Sequence, residues 1–142
     1  MKRSIFLLVL LFSLQSFSQQ IKEKDVPAAV KNSFYKQFPK ASSLKWDKEG
    51  TDYEASFKIN GQDESVIFNN HGNLLETETA IKTSELPKKA LDYLNINYKN
   101  KKIKEAAKIV NQKGESTYEA EVNGKDLLFD ADGNLIRNEK EG

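Results

Sequence analysis

The chain has 142 residues, with 22 Lys and Arg against 21 Asp and Glu, one His and no Cys. That balance provides no basic surface for nucleic acid or an anionic membrane. The absence of thiols excludes a disulfide framework and lipid attachment through cysteine, so stability has to come from a packed core.

The first segment, MKRSIFLLVLLFSLQSFSQQ, carries Lys2 and Arg3, then an apolar run from Ile5 to Phe12, then Ser16 and Ser18 around Phe17. This is the order of a secretory signal peptide. The run is short of the roughly 20 residues that a spanning helix needs. Residues 1–18 are therefore expected to be removed, placing the mature chain of about 124 residues in the periplasm or outside the cell. Without Lys2 and Arg3 the basic count falls to 20 against 21 acids, close to neutral. The Lys-rich KNKK at 99–102 reads as a solvated connection.

The next element is a helix. Val26, Val30, Phe34 and Phe38 form an i, i+4, i+8, i+12 row, and Leu86, Ala90, Leu94 and Tyr98 repeat it 60 residues later. Such rows follow one side of a helix, so each half opens with an amphipathic helix facing a core. Asp25 and Ser84 are expected as N-caps and Pro27 and Pro87 in the first turn, where a missing N–H costs nothing. Pro39 stops the first helix beyond Phe38.

After each helix the period changes to two. Leu44 and Trp46, or Ile109 and Val110, begin a strand closed by Gly50 or Gly114. Tyr53, Ala55, Phe57 and Ile59 then alternate with Glu54, Ser56 and Lys58, as Tyr118, Ala120 and Val122 do with Glu119 and Glu121. Asn60-Gly61 and Asn123-Gly124 supply two-residue hairpin turns. Val66 and Phe68, or Leu127 and Phe129, return on the apolar phase. The turns NNHGN (69–73) and DADGN (130–134) reverse the chain again before a last short strand at Leu74-Leu75 or Leu135-Ile136. The first hairpin is two residues longer per strand, which preserves the inward phase.

The fold class predicted is α+β: two tandem repeats, residues 19–82 and 83–142, each a helix with a second short helical turn after it, packed on a roughly four-stranded antiparallel meander. Units this small are marginal alone, so the two are expected to share one compact unit or one continuous sheet. The set VPAAVKNSFYKQFP, WDKEGTDYEASFKINGQ and VIFNNHGNLL, with its second copy LPKKALDYLNINY to YEAEVNGKDLLFDADGNLI, resembles the PepSY-like, β-lactamase-inhibitor-protein-like domains of secreted bacterial proteins. The resemblance implies a tandem α+β arrangement whose sheet acts as a binding surface and, in some relatives, an inhibitory contact with an enzyme.

Chemistry-bearing motifs are few. Asp130, Asp132 and Asn134 alternate as calcium ligands do, but Gly133 arrives too early for an EF-hand loop, and an Asx-type turn accounts for the acids. His71 has no second His or Cys as a co-ligand, and neither GxSxG, HExxH nor a glycine-rich phosphate loop occurs. No enzyme, cofactor or metal is expected. The acid pairs Glu76/Glu78 and Glu119/Glu121 read as ordinary solvation of a strand's wet face, and Trp46 as core. Ile67 and Leu128 are different, since they share the polar phase. An open, solvent-facing sheet surface bearing Glu54, Ser56, Lys58, Ile67, Glu119, Glu121 and Leu128 is therefore the expected contact for a protein or peptide partner in the cell envelope. A small-ligand or metal-binding envelope protein, or a purely structural domain, is the alternative.

Overall fold

The computed structural model describes residues 19–140, with side chains described to residue 137; the predicted signal peptide lies outside them. Nine strands form one antiparallel sheet in sequence order: β1 (Gln19–Ile21), β2 (Ser42–Glu49), β3 (Asp52–Ile59), β4 (Gln62–Phe68), β5 (Leu74–Ala80), β6 (Ile103–Asn111), β7 (Ser116–Val122), β8 (Lys125–Phe129) and β9 (Leu135–Lys140). Helices α1 (Ala28–Gln37) and α2 (Lys88–Asn97) interrupt the meander after β1 and after β5. The protein is thus α+β with a single large sheet. The first half carries five strands rather than four, because β1 adds to the edge of β2. The halves join where β5 pairs with β6, Glu78 opposite Ile109 and Ala80 opposite Ala107.

The helix rows bury as their spacing requires. Val30 and Phe34 of α1 enter a core with Val26, Trp46, Tyr53, Ala55, Phe57, Val66 and Phe68. Ala90 and Leu94 of α2 enter a second with Leu86, Ala106, Ala120, Val122, Leu127 and Phe129. Trp46 is core, edge-on to Phe34 at 5.3 Å between ring centroids. The register carries Ala55 to Val66, Thr77 and Val110, and Val110 shares its side of β6 with Ala106. Both helices therefore cover the same face of the sheet.

The helix starts differ from expectation. Asp25 and Ser84 lie inside 3-10 turns at Glu23–Asp25 and Thr83–Glu85, while Pro27 and Pro87 hold the N-cap positions with no side-chain cap bond. Each proline's carbonyl accepts the first helical bond, from the N–H of Lys31 or Leu91, and its fixed φ near −55° leads into the helix. The short helical turn thus precedes the helix instead of following it.

The turns behave as their sequences dictate. Asn60 and Gly61 both have positive φ, as do Asn123 and Gly124, the conformation that matches the twist of paired strands. In NNHGN the Asn69 side-chain oxygen accepts the N–H groups of His71 and Asn73, and in DADGN Asp130 accepts those of Asp132 and Asn134. These are Asx turns, and Asp130's carboxyl, bonded to Asn134 by side chain and backbone, is held below its ordinary range. Gly72 is required twice over. Its φ is +81°, and a Cβ there would lie 2.6 Å from the carbonyl oxygen of Ala29, because the turn sits against the start of α1, where Ser33 donates to the Gly72 carbonyl at 2.6 Å.

Candidate functional site

The strand alternation that sends Tyr53, Ala55 and Phe57 toward α1 sends their neighbours to the opposite face. Cross-strand pairs identify the members of that face: Glu54 with Ile67, Ser56 with Ser65 and Lys58 with Asp63, then Ile67 with Glu76 and Ser65 with Glu78. In the second half Ala107 pairs with Glu119 and Glu105 with Glu121, Glu119 with Leu128 and Glu121 with Asp126, and Leu128 with Arg137. All seven residues expected on the outer face, Glu54, Ser56, Lys58, Ile67, Glu119, Glu121 and Leu128, fall on it.

The expectation that this face is open fails. Ile67 and Leu128 are each only 6% exposed, and Glu54, Glu119, Glu121, Ser65, Glu78, Ile109 and Asp126 are buried too. The acid pairs read as solvated therefore place Glu78, Glu119 and Glu121 in the interior of a surface that, among the described residues, no helix covers. Curvature accounts for this. Register shifts recur at matched places, between Ser42 and Lys45 and between Ile103 and Glu105, then between Ile67 and Phe68 and between Leu128 and Phe129. Bulges of this kind bend and coil a sheet. The result is a trough in which side chains from non-adjacent strands shield one another. One pocket of about 250 Å³ spans β4 to β8, with Asp63, Glu78, Ala80, Ala107, Glu119 and Asp126 among its walls.

Electrostatics inside the trough are one-sided. Burial, then the nearby Glu49 and Asp47, pushes the Glu54 carboxyl up to about 8. Burial and Asp126 do the same to Glu119, to about 8, with Arg137 opposing. Burial holds Glu78 well above the ordinary carboxylate range, aided by Glu119, Glu54, Glu76 and Asp126. That a residue of β5 responds to acids on β3, β7 and β8 reflects the same curvature. Cations are fewer: Lys104 binds Glu121 at 2.7 Å, Lys58 binds Asp63, Arg137 lies opposite Leu128 near Glu119, and Lys45 lies opposite Ser56. One oxygen of Glu78, Oε2, and the hydroxyl of Ser65 beside it are buried without a hydrogen-bond partner, a costly arrangement.

Ser65, Ile109 and Asp126 were not singled out in the sequence as members of this surface, and Glu78, placed on a strand's wet face, was read as solvated although it is buried. The signal for Glu78 was present in the alternation of LLETETA, but its exposure depends on bulges that no motif announces. Ile109 was obscured because Ala106, Ala107, Ile109 and Val110 form an apolar run without alternation. Among the described residues, no helix is long and apolar enough to cross a membrane, and no three acid or His side chains are grouped to hold a metal ion.

Comparisons with known proteins agree with this architecture. Solved structures of similar fold include one described as a putative periplasmic protein from Bacteroides eggerthii, 18% identical with a TM-score of 0.75, covering 81% of this chain and 88% of its own. A DUF2874 family protein from Bacteroides uniformis is 23% identical with a TM-score of 0.71, over 80% and 88% of the two chains. A BLIP-like protein from Bacteroides fragilis is 24% identical with a TM-score of 0.63, over 80% and 86%. At these identities the likeness is one of fold. None of the curated proteins matches the sequence. The family model described as "Putative beta-lactamase-inhibitor-like, PepSY-like" matches twice, at residues 14–75 and 57–137, and the chain accordingly belongs to that PepSY-like family.

Proposed function

We propose that this protein is an exported, non-enzymatic binding module, built of two repeats at 19–82 and 83–142, whose concave sheet face receives a protein or peptide partner. The observation that carries the reading is the burial of Glu54, Glu78 and Glu119 on a sheet face that, among the described residues, no helix covers. Desolvated acids weaken a fold unless something compensates them. A fold that retains them on the face away from its helices, while its stability comes from two apolar cores on the other side, has the character of a surface kept for recognition. Export is supported by the signal-like residues 1–18 and by the description of a relative of the same fold as periplasmic. A non-catalytic role is supported by the family and by the lack of any nucleophile-and-base motif in the sequence.

The reading is tested by capture from an envelope extract on the immobilised protein. Ser56→Trp places a bulky ring in the trough, and Ile96→Trp alters α2 at a site 76% exposed on the opposite side. A specific partner should be lost with the first substitution and kept with the second. The reverse pattern would move the binding surface to the helices.

A further inference from the structure

Within the trough the pocket walled by Glu78, Glu119 and Asp126 has two kinds of surface. Its acids, Asp63, Glu78, Glu105, Glu119, Glu121 and Asp126, come from β4 to β8, with one cation, Lys104, bonded to Glu121, while Ala80, Ile81 and Ala107 give it an apolar flank. Oε2 of Glu78 is fully buried and has no partner, on a side chain that is 4% exposed and lines this pocket. Asp126 and Glu119 set further carboxyl groups beside it. The chain as a whole carries a net charge of only +1, so this concentration of acid is local. A group that satisfied Glu78 would have to bring hydrogen-bond donors and positive charge on a slender stem.

We propose that this pocket receives an arginine or lysine side chain projected from the peptide segment of a protein partner. The aliphatic stem would lie along Ala80, Ile81 and Ala107, and the charged head would reach Glu78 and Glu119, with Asp126 behind them. Arginine and lysine bury stems in this way while the head group finds carboxylates. The space holds one long side chain rather than a helix or a strand. This inference rests on the trough being the binding face, and it names what the partner must present there. Entry of the cation ionises carboxyls that burial keeps protonated, so binding releases protons and tightens as pH rises through about 8. The groups acting on Glu78 and Glu119 in that titration are Glu54, Glu76, Glu121, Asp126 and Arg137, and Asp63, Lys104 and Glu105 share the pocket wall with them.

The experiment is selection of a random heptapeptide display library on the purified protein at pH 8.5, followed by affinity measurement of the enriched peptides. The expected result is enrichment of Arg- or Lys-containing peptides whose affinity falls about tenfold or more when that residue becomes citrulline or norleucine, or in Glu78→Gln and Glu119→Gln. The glutamines match the acids in shape, and circular dichroism checks that the fold persists. Amide chemical-shift changes in the unaltered protein, mapping to Glu78, Ala107 and Glu119, provide an arm that needs no substitution. Enriched peptides without a basic residue, or basic peptides indifferent to both glutamines and mapping elsewhere on the trough, would overturn the cation pocket and leave the binding face standing. A saturable rise in melting temperature with Ca²⁺ alone, lost in Glu78→Gln, would overturn it in favour of a metal ion. Peptides mapping to the helix layer, or no enrichment at all, would overturn the pocket and count against the binding face as well.

Discussion

At the scale of single residues, the two cores are similar in layout but unequal in content. Phe34 is fully buried and lies within 5.5 Å, centroid to centroid, of Phe38, Trp46 and Phe57, whereas its counterpart Leu94 packs with Ala106 and Val122. Phe34→Ala should cost about 3–5 kcal/mol and Leu94→Ala about 2–5 kcal/mol in urea unfolding, since both leave cavities in packed surroundings. Values near zero at either position would mean that its helix does not pack on the sheet. The glycines separate two causes. A Cβ on Gly61 would meet nothing within 4 Å, while one on Gly72 would collide with the backbone of Ala29, although both have φ near +80°. Gly61→Ala should therefore show only the conformational cost, about 1 kcal/mol, and Gly72→Ala clearly more. Equal losses would contradict the close approach of the turn to α1.

At the scale of elements, turns and strands were largely legible in the sequence because their requirements are local. Asn-Gly at 60–61 and 123–124 fixes the hairpins, and the two extra residues per strand in the first hairpin appear directly in its register, with Tyr53 opposite Phe68 and Ile59 opposite Gln62. The DADGN turn tests that local logic. Asp130 accepts several N–H groups while Asp132 supplies only its backbone, so Asp130→Ala should lower the melting temperature and Asp132→Asn should leave it nearly unchanged. The opposite order, or a Ca²⁺ stabilisation that disappears in Asp132→Asn, would favour a metal loop. What the sequence did not disclose is longer in range. The 3-10 turns before α1 and α2 displaced Asp25 and Ser84 from capping, and β1 extended the first half by a strand. Curvature was also hidden, because a register shift between Ile67 and Phe68 is set by the pairing of β4 with β5. Period two was enough to place Ile67 and Leu128 on one face, but their burial follows from how that face bends.

At the scale of the whole molecule, the trough sets a pH dependence. In the unfolded chain Glu54, Glu78 and Glu119 titrate near the ordinary value of 4.5, while in the folded protein Glu54 and Glu119 titrate near 8 and Glu78 well above 4.5. Between those values the native state holds more protons than the unfolded one, so their stabilising contribution is fully present below about pH 4.5 and is lost as pH rises toward 8. The melting temperature should therefore be lower at pH 8.5 than at pH 5, by several degrees. The double substitution Glu78→Gln and Glu119→Gln should flatten that slope and raise the melting temperature at pH 8.5. A melting temperature that rises with pH across this window would mean that the carboxylates are compensated in the free protein.

The binding role of the trough is tested most directly by photo-crosslinking in the cell, with a benzophenone amino acid introduced singly at Lys58 on the trough and at Tyr35 and Ile96 on the helix layer. A discrete adduct is expected from position 58 and none from 35 or 96. Adducts confined to the helix-layer positions would contradict that role.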